Sequence, residues 1–172
     1  MKKILFGLLL SLVLFGCLKN DHPNQTCSYV DSQTVAPDTE VHKVKAYLDS
    51  NNIFTVQLHP TGFYYKINSP GSGTFVSNLC SVVTASYKGK LTNGTTFDST
   101  ANGSSASFQL GQVIAGWQKG VPLVAKGGSI TLFIPPSLGY GSQAIGDGNG
   151  NIIIPANSIL IFDVNVLDIS GG

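Results

Sequence analysis

The spacing of apolar side chains changes several times along the chain, and each change marks a different kind of segment. Lys2 and Lys3 precede an apolar run of twelve residues, Ile4 to Phe15, broken only by Gly7 and Ser11. Crossing the ~30 Å hydrocarbon core of a bilayer takes about 20 residues. A shorter run behind a basic start has the form of an export signal, which assigns residues 1–16 to a signal peptide. Residues 17–36 contain the polar, turn-rich stretch Lys19-Asn20-Asp21-His22-Pro23-Asn24-Gln25 and show no periodicity, which predicts a flexible tether. Residues 37–61 hold a helix and a connection. Pro37 and Asp38 are start signals, Glu40 suits the positive end of the helix dipole, and Val41, Val44 and Leu48 fall on one stripe, so a helix is predicted over 38–51.

Beyond Phe54 the period drops to that of strands. Phe63–Ile67, Ser81–Lys90, Thr96–Asp98, Ala106–Leu110, Ser129–Ile134, Ile152–Pro155 and Ser158–Ile169 are rich in β-branched and aromatic residues. Turn residues separate them, most clearly Ser69-Pro70-Gly71-Ser72-Gly73 and Asn93-Gly94. Gln112–Lys119 is bounded by Gly111 and Gly120 and is predicted as one short helix; residues 137–151 are predicted as a long loop. The fold class is therefore α+β: an antiparallel sheet on one short α-helix, with an extra N-terminal helix.

Composition narrows the function. The chain of 172 residues is 42% hydrophobic and only 11% charged, with a formal net charge of +1 and ten basic residues that are all lysine. The absence of any basic cluster argues against a nucleic-acid partner. The apolar content argues against disorder. His22, His42 and His59 have no neighbours at metal-ligand or triad spacing and are expected as solvated surface residues. Asp147-Gly148-Asn149-Gly150-Asn151 begins like a calcium loop, but Ile152 stands where glycine is needed and Ser158 where glutamate is needed. No metal and no cofactor are expected.

The signal run ends in Leu14-Phe15-Gly16-Cys17, which resembles the lipobox of bacterial lipoproteins. The resemblance implies cleavage before Cys17, lipidation of Cys17 and a membrane anchor of several acyl chains. Loss of Lys2 and Lys3 would leave eight lysines against nine acids, a net charge of −1. In an exported chain Cys27 and Cys80 can form a disulfide that staples the tether to the domain; two free thiols are the alternative.

Four further motifs lie in order along residues 62–172: Tyr87-Lys88-Gly89-Lys90-Leu91-Thr92-Asn93-Gly94-Thr95-Thr96-Phe97-Asp98-Ser99, Leu110-Gly111-Gln112-Val113-Ile114-Ala115-Gly116-Trp117-Gln118-Lys119-Gly120-Val121, Ile134-Pro135-Pro136-Ser137-Leu138-Gly139-Tyr140-Gly141, and Ile154-Pro155-Ala156-Asn157-Ser158-Ile159-Leu160-Ile161-Phe162-Asp163-Val164. Their content and spacing resemble the FKBP-type peptidyl-prolyl cis-trans isomerases, and the export signal with a leading helix resembles the versions exported by Bacteroidetes-like bacteria. The resemblance implies a curved antiparallel sheet wrapped around the short helix, with an apolar pocket between. Trp117 would form the pocket floor. Tyr87, Phe97, Val113, Ile114, Tyr140, Ile154 and Phe162 would form its walls. Asp98 would stand at the rim, either braced against Tyr87 or acting directly, and the Ile114 backbone N–H would donate to a substrate carbonyl. Without the motifs, the same aromatics read as ordinary core residues.

This sequence departs from the family pattern in three places. Ala106 stands where an aromatic is common, Gly103 where an arginine pairs with the Asp98 equivalent, and the flap between Tyr140 and Ile154 is long. The reaction implied is rotation about X-Pro bonds of exported polypeptides by a lipid-anchored protein of the bacterial envelope, at the outer membrane. It needs neither nucleophile nor proton shuttle, which suits a chain with so little acid–base equipment. The expected partners are proline-containing polypeptides and FK506-class macrolides, with the chain a monomer. The rival reading is a chaperone or peptide-binding lipoprotein that uses the same cleft, and a structural lipoprotein on a borrowed fold is a third.

Overall fold

The computed structural model describes residues 27–171. The signal run, Cys17 and His22 lie outside the described residues. The first element is helix α1, Asp38–Ser50. Nine strands follow: β1 Gln57–Leu58, β2 Tyr64–Ser69, β3 Val82–Leu91, β4 Thr96–Ser99, β5 Ala106–Gln109, β6 Ser129–Ile134, β7 Ile145–Gly146, β8 Ile152–Ile154 and β9 Leu160–Ser170. The second helix, α2, spans Ala115–Gly120 between β5 and β6.

Seven strands form one antiparallel sheet in the order β1-β2-β6-β9-β3-β4, with β5 also paired to β3. β9 is thus central: Val164 pairs with Ile130 of β6 on one side and with Tyr87 of β3 on the other. β7 and β8 make a separate two-stranded hairpin.

The two-residue period of the strands sorts the apolar side chains between two faces. Ile130, Leu132 and Ile134 of β6 and Leu160, Phe162, Val164 and Val166 of β9 face the main core with Trp117 and Val121. Phe133 and Ile161, each one residue out of phase, face the other side, where they meet Tyr64, Val44 and Leu48. That second cluster is what α1 covers: Val44 and Leu48 are fully buried on the predicted stripe. Burying each such side chain contributes roughly 1.5–3 kcal/mol. The helix therefore seals the back of the sheet, leaving the concave face to the site.

The structure differs from the sequence reading in three segments. The short helix is α2 alone, not Gln112–Lys119. Leu110–Gln112 form a 3₁₀ turn, and Val113 and Ile114 are extended. Two consecutive β-branched residues after a glycine turn disfavour the helical form. The stretch 137–151 is not loop throughout, since it holds part of a 3₁₀ turn at Pro136–Leu138 and strand β7. Finally, residues 27–36, read as flexible tether, lie against the domain. Cys27 is disulfide-bonded to Cys80, with Cα atoms 5.6 Å apart. Ala36 is buried, and its N–H donates to the Thr61 carbonyl. Turn-rich polarity predicts the lack of regular structure correctly, but not the docking that a cross-link and a few side chains impose.

Candidate functional site

The concave face carries an open, mostly aromatic cleft of about 220 Å³. Its lining comes from several parts of the chain. β3 and β4 supply Tyr87, Phe97 and Asp98; β5 and the turn after it supply Phe108, Gln112, Val113 and Ile114. α2 supplies Trp117, while the loop after β6 and strand β9 supply Tyr140 and Phe162. Drug-sized pockets run to ~300–1,000 Å³, so a cleft of this size fits a single ring-sized side chain. Three larger clefts, about 530 Å³ beside Cys27 and Tyr29, about 490 Å³ along Ser86 and Asn165 and about 310 Å³ beside Tyr47 and Phe133, have no convergent aromatic box.

Trp117 is the hub. Its ring centroid lies 5.3 Å from Phe162, 5.4 Å from Tyr87 and 5.5 Å from Phe108, all edge-to-face. Phe97 meets Phe162 in the same way at 5.4 Å. These separations are the favourable ones for T-shaped pairs. A half-turn of extended chain followed by α2 puts Trp117 here: the Trp117 and Gln118 N–H groups both donate to the Ile114 carbonyl, starting the helix where the loop ends. Gln118 Nε2 donates back to the Val113 carbonyl at 2.8 Å and fixes that loop. Main-chain bonds outside the regular elements engage the N–H groups of Leu110, Gly111, Val113, Trp117 and Gln118, but not that of Ile114, which borders the cleft.

The polar rim is sparse. The Tyr87 hydroxyl donates to Asp98 Oδ2 at 2.6 Å. Burial first, then the Asp98 bond and charge, hold the Tyr87 hydroxyl well above the usual phenol range. Tyr140, 38% exposed at the cleft mouth, is raised by burial and then by the Asp98 charge. Both hydroxyls are therefore donors at any physiological pH. With Gly103 offering no cation, the partner of Asp98 is Tyr87.

Eight of the nine residues predicted for the site meet at this cleft: Tyr87, Phe97, Asp98, Val113, Ile114, Trp117, Tyr140 and Phe162. Ile154 does not. It is 3% exposed in the core, on β8, paired with Ile145. The long flap folds as the β7–β8 hairpin, and Ile154 at its end is buried in the cluster that holds Trp117 and Phe162. Phe108 and Gln112 are lining residues that the motif reading passed over. Phe108 alternates with exposed Ser107 on β5, so the period-two pattern was the available signal.

Gly89 is another residue whose importance needed coordinates. A Cβ there would fall 2.7–2.8 Å from the rings of Phe97 and Phe162. The bare backbone of β3 at this point is what lets the two rings close one wall. Away from the cleft, Asp163 pairs with Lys90 and accepts from the Thr131 hydroxyl. Asp147 spends both carboxylate oxygens on Asn149 and Asn151 within its own turn. His59 is not a simply solvated histidine: it stacks on Phe63 at 4.4 Å, and Thr61 N–H donates to its Nδ1.

Comparison with known proteins places this geometry. The family model described as FKBP-type peptidyl-prolyl cis-trans isomerase matches residues 76–167. The chain is 47% identical over 116 residues to a "Probable FKBP-type peptidyl-prolyl cis-trans isomerase" of Haemophilus influenzae, covering 67% of this chain and 46% of that one. It is 46% identical over 110 residues to the "FKBP-type peptidyl-prolyl cis-trans isomerase FkpA" of Buchnera aphidicola, covering 63% and 41%. The chain thus spans less than half the length of these curated relatives. Among solved structures, FkpA from Escherichia coli superposes with a TM-score of 0.64 at 36% identity, over 77% of this chain and 60% of that one. AtFKBP13 superposes with a TM-score of 0.60 at 34% identity, over 67% and 98%.

Proposed function

The chain belongs to the FKBP-type peptidyl-prolyl cis-trans isomerase family, and from that premise we propose that it accelerates rotation about X-Pro bonds in exported polypeptides. The observation that carries this reading is the Trp117-centred aromatic cleft, ring-sized and bordered by the free edge of Ile114.

Rotating a peptide bond costs ~18–20 kcal/mol because conjugation is lost halfway. Uncatalysed X-Pro rotation takes ~10–100 s. No bond breaks, so the protein has only to favour the twisted amide over the planar one. The planar amide is the more dipolar, and water solvates it best. Seating the prolyl ring against Trp117, Phe97 and Phe162 takes the amide out of water and removes that advantage. The Ile114 N–H is placed to hold the carbonyl of the residue before proline. The Tyr140 hydroxyl, protonated and at the mouth, is placed to donate to a neighbouring substrate carbonyl. Asp98 acts through Tyr87, fixing its ring as a wall.

The same reading extends to place and partners. Cys17, after an apolar run that ends like a lipobox, would carry the lipid that holds the protein at the outer membrane of a bacterial, Bacteroidetes-like envelope. The disulfide between Cys27 and Cys80 fits an oxidising compartment. The protein would act as a monomer on proline-containing polypeptides and bind FK506-class macrolides in the cleft. A protease-coupled assay with a proline tetrapeptide tests the activity. Catalysis that is lost in Phe97→Ala and blocked by the macrolide is the expected result; a wild-type rate equal to background overturns it. Incorporation of labelled palmitate that disappears in Cys17→Ser tests the anchor.

A further inference from the structure

Residues 27–36 touch three of the segments from which the cleft is built: the end of β5, the turn that follows it, and α2. Cys27 is bonded to Cys80, just before β3. The Tyr29 ring is pressed against Gly111 so closely that a Cβ on Gly111 would fall 2.2–2.7 Å from its Cγ, Cδ1 and Cδ2. The Tyr29 hydroxyl donates to Gln109 Oε1 at 3.0 Å. Asp31 forms an ion pair with Lys119 of α2, whose side chain is only 19% exposed. None of these strap residues lines the cleft. The partners of Tyr29 and Asp31 are each one or two residues from one that does. Gln109 follows Phe108, Gly111 precedes Val113 and Ile114, and Lys119 follows Trp117.

The loop 110–114 is thus held from two sides. Gln118 bonds the Gly111 and Val113 carbonyls from the α2 side. Tyr29 backs Gly111 from the other. Beside the Tyr29 ring lies an open cleft of about 530 Å³, lined also by Leu110 and Gln118. We infer that Tyr29 is a positioning residue: its ring sets the loop that presents the Ile114 N–H, and the disulfide and the Asp31–Lys119 pair hold Tyr29 in place. The strap thereby becomes part of the catalytic scaffold. The kinetic half of this inference rests on the isomerase reading; the structural half does not.

Trp117 is the sole tryptophan of the chain, so its emission reports the cleft without any turnover. The experiment compares wild type, Tyr29→Ala, Tyr29→Phe and Asp31→Asn on the intact oxidised chain, well below the lowest melting temperature. Tyr29→Ala is expected to red-shift the Trp117 emission and to lower kcat/KM by about tenfold, the order that a small displacement of a positioning group produces. Tyr29→Phe keeps the ring and should stay within about twofold of wild type. Asp31→Asn should give a smaller loss, about threefold, as fits an ion pair at the surface. A strap that only adds stability would lower the melting temperature of Tyr29→Ala and leave emission and kcat/KM at wild-type values, and that result overturns the inference. If Tyr29→Ala does not fold, wild-type emission and kcat/KM in Asp31→Asn overturn it instead. If wild type itself shows no isomerase activity, the isomerase reading fails, and the Trp117 emission still decides whether the strap sets the cleft.

Discussion

The Tyr87 hydroxyl and the Asp98 carboxylate are joined at 2.6 Å between β3 and β4, and the bond faces the one cleft that holds the aromatic cluster. It gives Asp98 a task that needs no contact with substrate. If that is its whole task, Tyr87→Phe and Asp98→Asn should each reduce kcat/KM, by up to about tenfold as for a hydrogen bond to a charged group. The double variant should be no worse than the poorer single one. Losses that multiply in a double-mutant cycle would show that Asp98 also acts on the substrate.

Gly89 offers a sharper test of the wall. Gly89→Ala inserts a methyl where only 2.7–2.8 Å is available before Phe97 and Phe162. One ring must swing into the cleft. The expected result is a loss of kcat/KM of tenfold or more, with a stability cost of about 1–3 kcal/mol from overpacking. Denaturant titration beside the proline-peptide assay reads both. Wild-type activity would mean that the rings can retreat away from the cleft.

The two clusters on opposite faces of the sheet should separate stability from activity. Leu48→Ala leaves a cavity under α1 and is expected to cost about 2–5 kcal/mol. Its effect on kcat/KM, measured where the variant is still folded, should be under about twofold, because Leu48 packs with Phe133 and Ile161 on the face away from the cleft. A large kinetic defect in a folded Leu48→Ala chain would refute that separation.

Acid should weaken the fold through His59. Burial, and then the charge of Lys119, lower its pKa below the ordinary 6.5. Its Nδ1 accepts the Thr61 N–H, which leaves the ring proton on Nε2 and the neutral form bound. The unfolded chain therefore takes up a proton more readily than the folded one. The contribution is complete above pH ~6.5 and declines as pH falls from there through the folded-state pKa. Chemical denaturation at pH 7.5 and pH 5 should show wild type losing more stability than His59→Gln. Equal losses would remove His59 as the cause.

Much of this was legible in the residues, for reasons that can be named. Val44 and Leu48 are an i, i+4 pair that continues the stripe begun by Val41, and a stripe of that kind is buried wherever a sheet is there to receive it. Tyr87, Phe97, Trp117 and Phe162 were legible because their motifs fix spacing along strands whose register then brings them together: Tyr87 pairs with Val164 and Gly89 with Phe162. Ile154, read as a wall, lies in the core cluster with Trp117 and Phe162 and not in the cleft lining, a distinction of depth that a motif position does not carry. Tyr29 and Gly111 lie far apart in sequence, and nothing in either residue alone announces that one must be bare for the other to fit. Contacts made by irregular chain carry no period, so only coordinates reveal them.

The place of β9 has a consequence for how the protein is made. Strand β9 sits between β6 and β3, and its partners are Ser129–Ile134 on one side and Val82–Leu91 on the other. No sheet can close before residues 160–170 are present, and a topology of such distant pairings folds slowly, on the order of milliseconds to seconds. Were the chain exported through a pore from its N-terminus, its main sheet would stay open, and the segment able to thread, until residues 160–170 had crossed. The cleft would be completed only when Phe162 arrives to join the rings around Trp117.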